Sequence, residues 1–307
     1  MPTLFTDLCF SSPVDTSRFY WNPTLETLPE VEFAIMNSVT VYTALYNLNR
    51  ASIDSRTFAT YVEWLISTID LFPGIVVFHG GELDDYSFQN CKLVKVPLQE
   101  LDTFKFEKEV ALILGDFEPL APNDITFRLP SYSLLQFAKF EFATLLNSPS
   151  ESVMWVDAGI SRFVTQIDSE TLESSIRGLL DQNVDALFEI DIRNNFKVRN
   201  FSLHDSIIGS CRRVVSGGAF WIRTTYIEEL CNKINREMKV WIHSSIWDNE
   251  QVMLRKILPS TPGKILFVPQ ILGLPGCVPR SLSHKRPKVY KYFFKMINLM
   301  LRRGHLK

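Results

Sequence analysis

Hydrophobic and polar residues follow two different periods along the chain, and each change of period predicts a new strand or helix. Residues 38–45, SVTVYTAL, are a β-branched run with polar flanks, which predicts a buried strand. The following apolar residues recur every three or four positions and predict one face of a helix beginning near Ser55: Phe58, Tyr61, Val62, Leu65, Ile66 and Ile69. Pro73 and Gly74 end that helix, and GIVVF forms a second strand. Strand, helix and strand in this order predict a parallel sheet.

The middle of the chain repeats this alternation. A helix is predicted to end before Ser148, with its apolar stripe formed by Leu134, Leu135, Ala138, Phe142, Leu145 and Leu146. The strand SVMWV follows and stops at Asp157. The remaining predicted elements are a helix over 169–180, a strand at ALFEI, a hairpin starting at 193–195, a strand in SGGAFWIR, and helices over 225–236 and from about Asp248. We therefore expect one α/β domain over residues 38–280, an irregular arm over 1–37 and a separate segment over 281–307.

Composition narrows the classes of protein. With 307 residues and 46% hydrophobic content, the chain can bury a substantial core, which excludes disorder as its main state. The formal net charge of −2 offers no general cationic surface, so we expect no nucleic-acid partner. No basic leader precedes an apolar run, and no apolar stretch is long enough to span a bilayer. The five cysteines are widely spaced and none forms a C-x-x-C pair, which fits a reducing compartment. These features together predict a soluble, cytoplasmic protein.

Three segments carry candidate chemistry, and the first is WVDAGISRF at residues 155–163. Here a predicted core strand ends at Asp157, followed by the small residues Ala158 and Gly159. In an open parallel sheet, ligands bind at that edge. A carboxylate there can hold a divalent cation against a diphosphate. The alternative is that Asp157 closes an Asx turn or caps the next helix.

The other two segments are VVSGGAFWIR at 214–223 and SSIWDNEQVML at 244–254. Gly217 and Gly218 can admit a sugar ring close to the backbone, with Phe220 or Trp221 as the pocket wall, or they form an ordinary bend. Asp248 and Glu250 begin a predicted helix, where acidic residues commonly act as caps or dipole partners. Their functional alternative is a catalytic carboxylate that deprotonates an acceptor hydroxyl or stabilises charge at an anomeric carbon.

Together with TVYTALYNLNR, TYVEW and LLQFAKF, and in this order, these segments resemble the HtrL/YibB-like family of bacterial surface-polysaccharide proteins and, more remotely, GT-A glycosyltransferases. The resemblance spans roughly residues 38–257. It implies a Rossmann-like GT-A fold with a mostly parallel central sheet flanked by helices. It also implies a hexosyl- or pentosyltransferase that takes its sugar from a UDP-linked nucleotide donor. The implied acceptor is a glycan or a lipid-linked saccharide, and the implied process is surface-polysaccharide or glycoconjugate synthesis. The alternative is a non-catalytic nucleotide- or carbohydrate-binding protein with the same shell.

The resemblance also assigns residues to the donor site. Thr43, Arg50 and Arg162 lie in matched segments and are expected to contact the donor, the two arginines through its phosphates. Lys139, on the helix before the acidic segment, is a further candidate. Each of these cations has the alternative of a structural ion pair.

GT-A enzymes carry an Asp-x-Asp pair for a divalent metal, Mn or Mg, whereas this chain has a single acid in residues 155–157. Asp157 is the first candidate metal ligand, and residues 189–191, Glu-Ile-Asp, have acid spacing closer to the pair but rank second. His284 is the candidate for a C-terminal ligand that completes the metal site. Its alternative is a solvated histidine in a basic loop.

The C-terminal segment after residue 284 combines eight lysine and arginine residues with an apolar stripe formed by Phe293, Ile297, Met300 and Leu301. This pattern predicts reversible, peripheral association with an anionic membrane surface, such as the inner face of a membrane that carries a lipid-linked acceptor. The alternative is a terminal helix that packs its stripe on the domain.

Overall fold

A mixed sheet of seven strands forms the centre of the protein in the computed structural model, which describes residues 38–117, 124–146, 148–190, 215–269 and 277–279. Its strands are β1 (Val39–Ala44), β2 (Ile75–His79), β3 (Cys91–Lys95), β4 (Ser152–Val156), β6 (Ala186–Ile190), β7 (Val215–Arg223) and β8 (Ile265–Pro269). The spatial order is β3-β2-β1-β4-β7-β6-β8. Neighbouring strands run parallel except at β7, which is antiparallel to both β4 and β6.

Helices connect the strands and cover the sheet. They are α1 (Ala51–Asp54), α2 (Phe58–Leu71), α3 (Glu107–Phe117), α4 (Ile125–Arg128), α5 (Pro130–Leu145), α6 (Ser169–Asp181), α7 (Ile227–His243) and α8 (Glu250–Ile257). A small antiparallel pair joins β5 (Val164–Ile167) to β9 (Cys277–Pro279). The fold class predicted from the sequence, an α/β Rossmann-like domain with a mostly parallel central sheet flanked by helices, is confirmed.

The sheet separates two hydrophobic clusters because successive strand residues point to opposite faces. Tyr42 and Trp155 point to the face covered by α3, α5, α7 and α8. Val41 and Met154 point to the other face, which α2 and α6 cover. Every residue of β2 and β4, between these layers, is accordingly buried, as expected for strands covered on both sides.

Strand order reverses beside β1. The chain passes from β1 to β2 and then β3 on one side, and later returns to place β4 on the other side, so that Tyr42 pairs with Val76 of β2 and with Trp155 of β4. The connections that leave the carboxyl ends of β1 and β4 therefore diverge and open a crevice at this edge. In open α/β sheets this is the place where ligands bind.

An aromatic cluster holds α5 against β4, β6 and β7. The ring of Phe220 in β7 stacks on Phe140 of α5 at a centroid distance of 4.8 Å, and lies 5.6 Å from Phe188 and 6.3 Å from Trp155. All four side chains are buried. Because Phe140 directly follows Lys139, this packing also fixes the position of that lysine on the sheet.

Several sequence predictions can be compared with the observed elements. The helix expected from Ser55 begins at Phe58, because the Thr57 side chain accepts a hydrogen bond from the Thr60 backbone N–H and caps it. The helix expected over 225–236 continues to His243. The hairpin at 193–195, the arm over 1–37 and the segment over 281–307 lie outside the described residues. Within the part of the chain that the structure describes, no helix has both the length and the apolarity to cross a bilayer.

Phe220→Ala tests the aromatic cluster. Removing a fully buried ring that contacts three other rings should lower the free energy of unfolding by about 3–5 kcal/mol. The matched control is Phe163→Ala, because the Phe163 side chain is 59% exposed and its loss should change stability by no more than about 0.5 kcal/mol. Urea unfolding followed by tryptophan fluorescence measures both, and equal effects of the two variants would contradict the role given to Phe220.

Candidate active site

A cavity of about 410 Å³ opens at the carboxyl edge of β1 and β4, at the reversal of strand order. Its walls come from the loop after β1, the start of α2, the first turns of α5 and the loop after β4. The side chains that matter for chemistry there are Arg50, Arg56, Tyr61, Tyr132, Lys139, Asp157 and Arg162. Position and volume are those of a small-molecule site.

The loop after β1 is held by Glu82. One carboxylate oxygen of Glu82 accepts a hydrogen bond from the Asn47 N–H at 3.3 Å, and the other accepts one from the Gly80 N–H at 2.7 Å. The loop then turns through Asn49 at φ 53°, a left-handed conformation that asparagine tolerates well. Arg50 follows at the wall of the cavity.

Arg50 lies between two tyrosines. Its guanidinium carbon is 4.7 Å from the ring centroid of Tyr132 and 5.2 Å from that of Tyr61. Aromatic faces attract the guanidinium and hold its plane. The sequence pattern placed Tyr61 only in the apolar stripe of a helix and did not single out Tyr132, because the contact of both rings with Arg50 depends on the three-dimensional approach of α2 and α5.

Asp157 begins the loop after β4, and its side chain faces the cavity. The Asp157 N–H donates to the Gly218 carbonyl at 2.8 Å, which extends the β4–β7 pairing by one residue. Its Oδ1 accepts a hydrogen bond from Trp155 Nε1 at 3.0 Å. The Ile160 N–H bonds to the main-chain carbonyl of Asp157, not to its carboxylate. With 45% of its side chain exposed, Asp157 therefore presents a carboxylate to a ligand and does not close an Asx turn.

Arg162 closes the rim of the cavity from the same loop. Its Nε donates to the Gly159 carbonyl at 3.1 Å, and its guanidinium carbon lies 4.1 Å from the Trp64 ring centroid. Burial, together with repulsion from Arg56, lowers the pKa of Arg162, although a guanidinium stays charged at neutral pH. The cavity wall thus brings Arg50, Arg56 and Arg162 together, and this concentration of positive charge attracts an anionic ligand.

Lys139 lies at the base of the cavity with its ammonium group among acceptors. Nζ is 2.9 Å from the Gly217 carbonyl, 3.0 Å from Glu250 Oε1 and 3.3 Å from Asp157 Oδ1. It also lies 5.4 Å from the centroid of the Trp155 ring. Burial alone would lower the pKa of Lys139, but the charges of Asp157 and Glu250 outweigh it and raise the pKa above its ordinary value, so the ammonium remains charged.

Glu250 is the buried partner of Lys139. It is the first residue of α8, but the helix is capped by Asn249, whose side chain accepts a hydrogen bond from the Val252 N–H. The Glu250 side chain is only 2% exposed, and burial raises its pKa. Asp248 is buried as well and accepts a hydrogen bond from the Asn249 N–H. Neither acid lines the cavity, so their predicted direct catalytic role stays a prediction.

Gly217 leaves the space that Glu250 occupies. A β-carbon on Gly217 would lie 1.9 Å from Glu250 Oε1, whereas one on Gly218 would make an ordinary contact of 3.6 Å with Asp157 Oδ2. A register shift between β6 and β7 accompanies this part of β7. The Lys139–Glu250 pair therefore requires glycine at position 217, and the predicted contact of Gly217 and Gly218 with a sugar ring stays a prediction.

Two other predicted ligand contacts lie away from the cavity. Thr43 is fully buried in β1, where it alternates with Tyr42, and Trp221 is buried in the cluster beneath α2 and α6. Neither side chain lines the cavity, and the contact of Thr43 with the donor and the role of Trp221 as a pocket wall stay predictions. The cause is strand alternation, which turns these two side chains into the opposite core.

The predicted metal site cannot be assembled from the described residues. Among them, no three histidine, cysteine or acidic side chains are grouped as metal ligands. His284 and Asp191 lie outside the described part of the chain. Glu189 is buried at the end of β6, and burial raises its pKa to about 8. A metal held by Asp157 and His284 therefore stays a prediction.

Gly217→Ala and Gly218→Ala form a matched pair that tests the buried cluster. The methyl group at position 217 collides with Glu250 and should push it away from Lys139, lowering the free energy of unfolding by about 3 kcal/mol or more. The methyl group at position 218 meets no close atom and should cost less than about 1 kcal/mol. Chemical unfolding of the two variants checks this, and a Gly218 variant as unstable as the Gly217 variant would show that backbone effects dominate.

No protein-family model and no curated protein matches the chain, so its resemblance to the HtrL/YibB-like family stays a prediction. Similar solved structures include apo mouse xyloside xylosyltransferase 1, with 8% identity over 75% of this chain and 85% of that chain and a TM-score of 0.38. Core-mannan synthase A from Aspergillus fumigatus, in a Mn/GDP form, has 12% identity over 75% and 72% and a TM-score of 0.45. A 4-diphosphocytidyl-2C-methyl-D-erythritol synthase from Anaerococcus prevotii has 11% identity over 84% and 97% and a TM-score of 0.36. Because the sequence identities and TM-scores are this low, the function has to be argued from the side chains around the cavity.

Proposed function

We propose that this protein is a glycosyltransferase that binds a nucleotide-sugar donor in the cavity between β1 and β4. The observation that carries the proposal is the composition of this cavity: cationic and aromatic walls surround one exposed carboxylate, Asp157, at the ligand-binding edge of an α/β sheet. A nucleoside diphosphate sugar presents matching chemistry, with a flat base, two phosphates and a sugar whose anomeric carbon becomes positively charged during transfer.

The arginines are suited to the diphosphate. The guanidinium groups of Arg50 and Arg162 lie against aromatic rings, and a fixed guanidinium plane suits the paired oxygens of a phosphate. Tyr61 and Tyr132 line the same cavity and supply aromatic surface for the base. The predicted donor role of Arg50 and Arg162 is therefore retained in the proposal.

Asp157 is the acid that we place at the sugar. Its carboxylate faces the cavity, whereas Glu250 is buried behind it and reaches it only through the shared ammonium of Lys139. In this position Asp157 can stabilise positive charge at the anomeric carbon or accept the proton of an acceptor hydroxyl. Glu250 then acts as a positioning residue through Lys139, in place of the direct role predicted for Asp248 or Glu250.

The finer features of the proposed reaction come from the resemblance of the sequence. They are a UDP-linked donor of a hexose or pentose, a glycan or lipid-linked saccharide as acceptor, and a place in surface-polysaccharide or glycoconjugate synthesis. A second candidate function is a nucleotide- or carbohydrate-binding protein without turnover. It is favoured by the burial of Asp248 and Glu250, which leaves Asp157 as the acid among the described residues that lines the cavity.

Arg162→Gln tests donor binding. Loss of a charged donor to phosphate should weaken binding by about 1.5–3 kcal/mol, which is roughly 10- to 100-fold in Kd. Isothermal titration with UDP, GDP, CDP and dTDP measures the affinity. The control is Arg177→Gln, because Arg177 lies on the exposed side of α6 and pairs with Glu173 of the same helix. No binding of any of the four nucleotides to the unmodified protein, or unchanged affinity in Arg162→Gln, would contradict the proposed donor site.

Asp157→Asn separates binding from chemistry. The amide keeps the size of the side chain but removes the charge, so release of nucleoside diphosphate from a panel of nucleotide sugars should fall by about 100-fold or more. Asp181→Asn, at the exposed end of α6, is the control and should keep full activity. Turnover by Asp157→Asn at the control rate would remove Asp157 from the reaction, and no turnover by any form despite nucleotide binding would favour the binding protein.

The C-terminal segment over 281–307 lies outside the described residues, and we propose that it binds anionic membranes reversibly and brings the site to a lipid-linked acceptor. Cosedimentation with vesicles of phosphatidylglycerol and of phosphatidylcholine tests this at low and high salt. Binding should prefer the anionic vesicles and weaken as the Debye length falls from about 10 Å at 0.1 M salt to about 3 Å at 1 M. A lack of preference for lipid charge, with unfolding after truncation at Pro287, would instead support packing of the segment on the domain.

A further inference from the structure

We infer that Lys139 is the resident cation of this site, so that the protein binds the diphosphate of its donor without a divalent metal. The inference rests on the proposed function and concerns how the same cavity meets the negative charge of the ligand. Its basis is the place of the Lys139 ammonium, which lies in direct contact with both carboxylates of the cluster, those of Asp157 and Glu250.

The oxygen atoms near the cavity do not fit a metal centre. Asp157 Oδ1 already accepts from Trp155 Nε1 and contacts the Lys139 ammonium. Glu250 Oε1 accepts from Lys139, and Glu250 Oε2 is buried and has no partner among the described residues. Of the carboxylate oxygens of Asp157 and Glu250, Asp157 Oδ2 is the one that remains for a ligand, because Glu250 Oε2 is buried. Among the described residues, a divalent cation there would have this one carboxylate oxygen and would lie beside a fixed positive charge, which repels it.

The fold holds the ammonium in this place. Lys139 is buried, its ammonium donates to the Gly217 carbonyl, and it lies over the Trp155 ring. Gly217 is the residue whose lack of a side chain lets Glu250 approach. Four elements, β4, α5, β7 and α8, thus meet at one positive charge. A structure that used this pair of acids for a metal would need the space that the lysine side chain fills.

The ammonium is also able to reach a ligand. An ammonium has three donors, and here the three acceptors are the Gly217 carbonyl, Glu250 and Asp157. The longest of these contacts, 3.3 Å, is the one to Asp157, the partner that lines the cavity together with Lys139. A phosphate oxygen can replace or share this contact while Gly217 and Glu250 keep the lysine in place. Lys139 would then act on the ligand through its charge and one hydrogen bond.

Titration of the unmodified protein with UDP, GDP, CDP and dTDP, once in excess EDTA and once in Mn²⁺, tests the inference by calorimetry. We expect the nucleotide that binds to have the same Kd within about threefold in both conditions. Binding that requires Mn²⁺ would overturn the inference and leave the proposed donor site standing. If no nucleotide binds in either condition, the proposed donor site fails and the inference fails with it.

Lys139→Met provides the second measurement, because methionine has a similar length but no charge. In EDTA, this variant should bind the nucleotide at least tenfold more weakly than the unmodified protein. Without the ammonium, the Asp157 and Glu250 carboxylates become available to Mn²⁺, so electron paramagnetic resonance should detect a bound Mn²⁺ that the unmodified protein does not bind. Tight Mn²⁺ binding by the unmodified protein, or full nucleotide affinity of Lys139→Met in EDTA, would overturn the inference.

Two further variants keep this test decisive. Lys105→Met is the control, because Lys105 is exposed and pairs with Asp102 away from the cavity. If Lys139→Met does not fold, the double variant Lys139→Met with Glu250→Gln removes both charges of the buried pair and avoids leaving one of them uncompensated. The double variant should also bind nucleotide at least tenfold more weakly in EDTA. Unchanged affinity would again overturn the inference.

Discussion

The site depends on one buried ion pair, between Lys139 of α5 and Glu250 of α8. The two residues are 111 positions apart in the chain and meet at 3.0 Å, and both side chains are largely buried. Taking such charges out of water costs free energy, and the pair is stable only because the Gly217 carbonyl and Asp157 supply further contacts to the ammonium. Loss of either partner would leave a buried charge without compensation, at a cost of about 3–5 kcal/mol. The same contacts fix the orientation of Asp157, so stability and the geometry of the cavity have a common origin.

The hydrophobic core around this pair explains how its parts are aligned. Phe140, next to Lys139 in sequence, stacks on Phe220 of β7, and Trp155 of β4 both packs near Phe220 and donates to Asp157. Side chains of the same aromatic cluster therefore set the distance between α5 and the sheet and the position of the exposed carboxylate. The absence of a side chain at Gly217 lets Glu250 approach from α8. Packing thus places each polar group to within the distance at which a hydrogen bond forms.

Much of the fold and one end of the site could be predicted from the sequence, because they follow from local patterns. The alternation of strand and helix periods predicted the mostly parallel sheet, and the position of Asp157 after SVMWV predicted a carboxylate at its ligand-binding edge. Strand alternation already turned Thr43 and Trp221 away from the cavity, but which face of the sheet bears the ligand is not a local property. The pairing of Lys139 with Glu250 was not predictable as a pair, since each residue had an ordinary local interpretation, as a surface ion pair or a helix cap. Their meeting depends on how α5 and α8 pack on the sheet.

The division of charge within the cavity links the structure to the proposed chemistry. Arg50 and Arg162 lie at the wall, where they are restrained by aromatic rings and by a backbone carbonyl. Lys139 lies at the base, where its ammonium contacts the carboxylates of Asp157 and Glu250. An approaching diphosphate therefore meets positive charge at the wall and at the base, and the base also carries a carboxylate whose orientation is already fixed. A group that is oriented before the ligand binds costs no reorganisation during the reaction, which is the condition under which a single acid stabilises a charged transition state best. The buried Lys139–Glu250 pair costs free energy of folding, and its role is to fix the orientation of the Asp157 carboxylate.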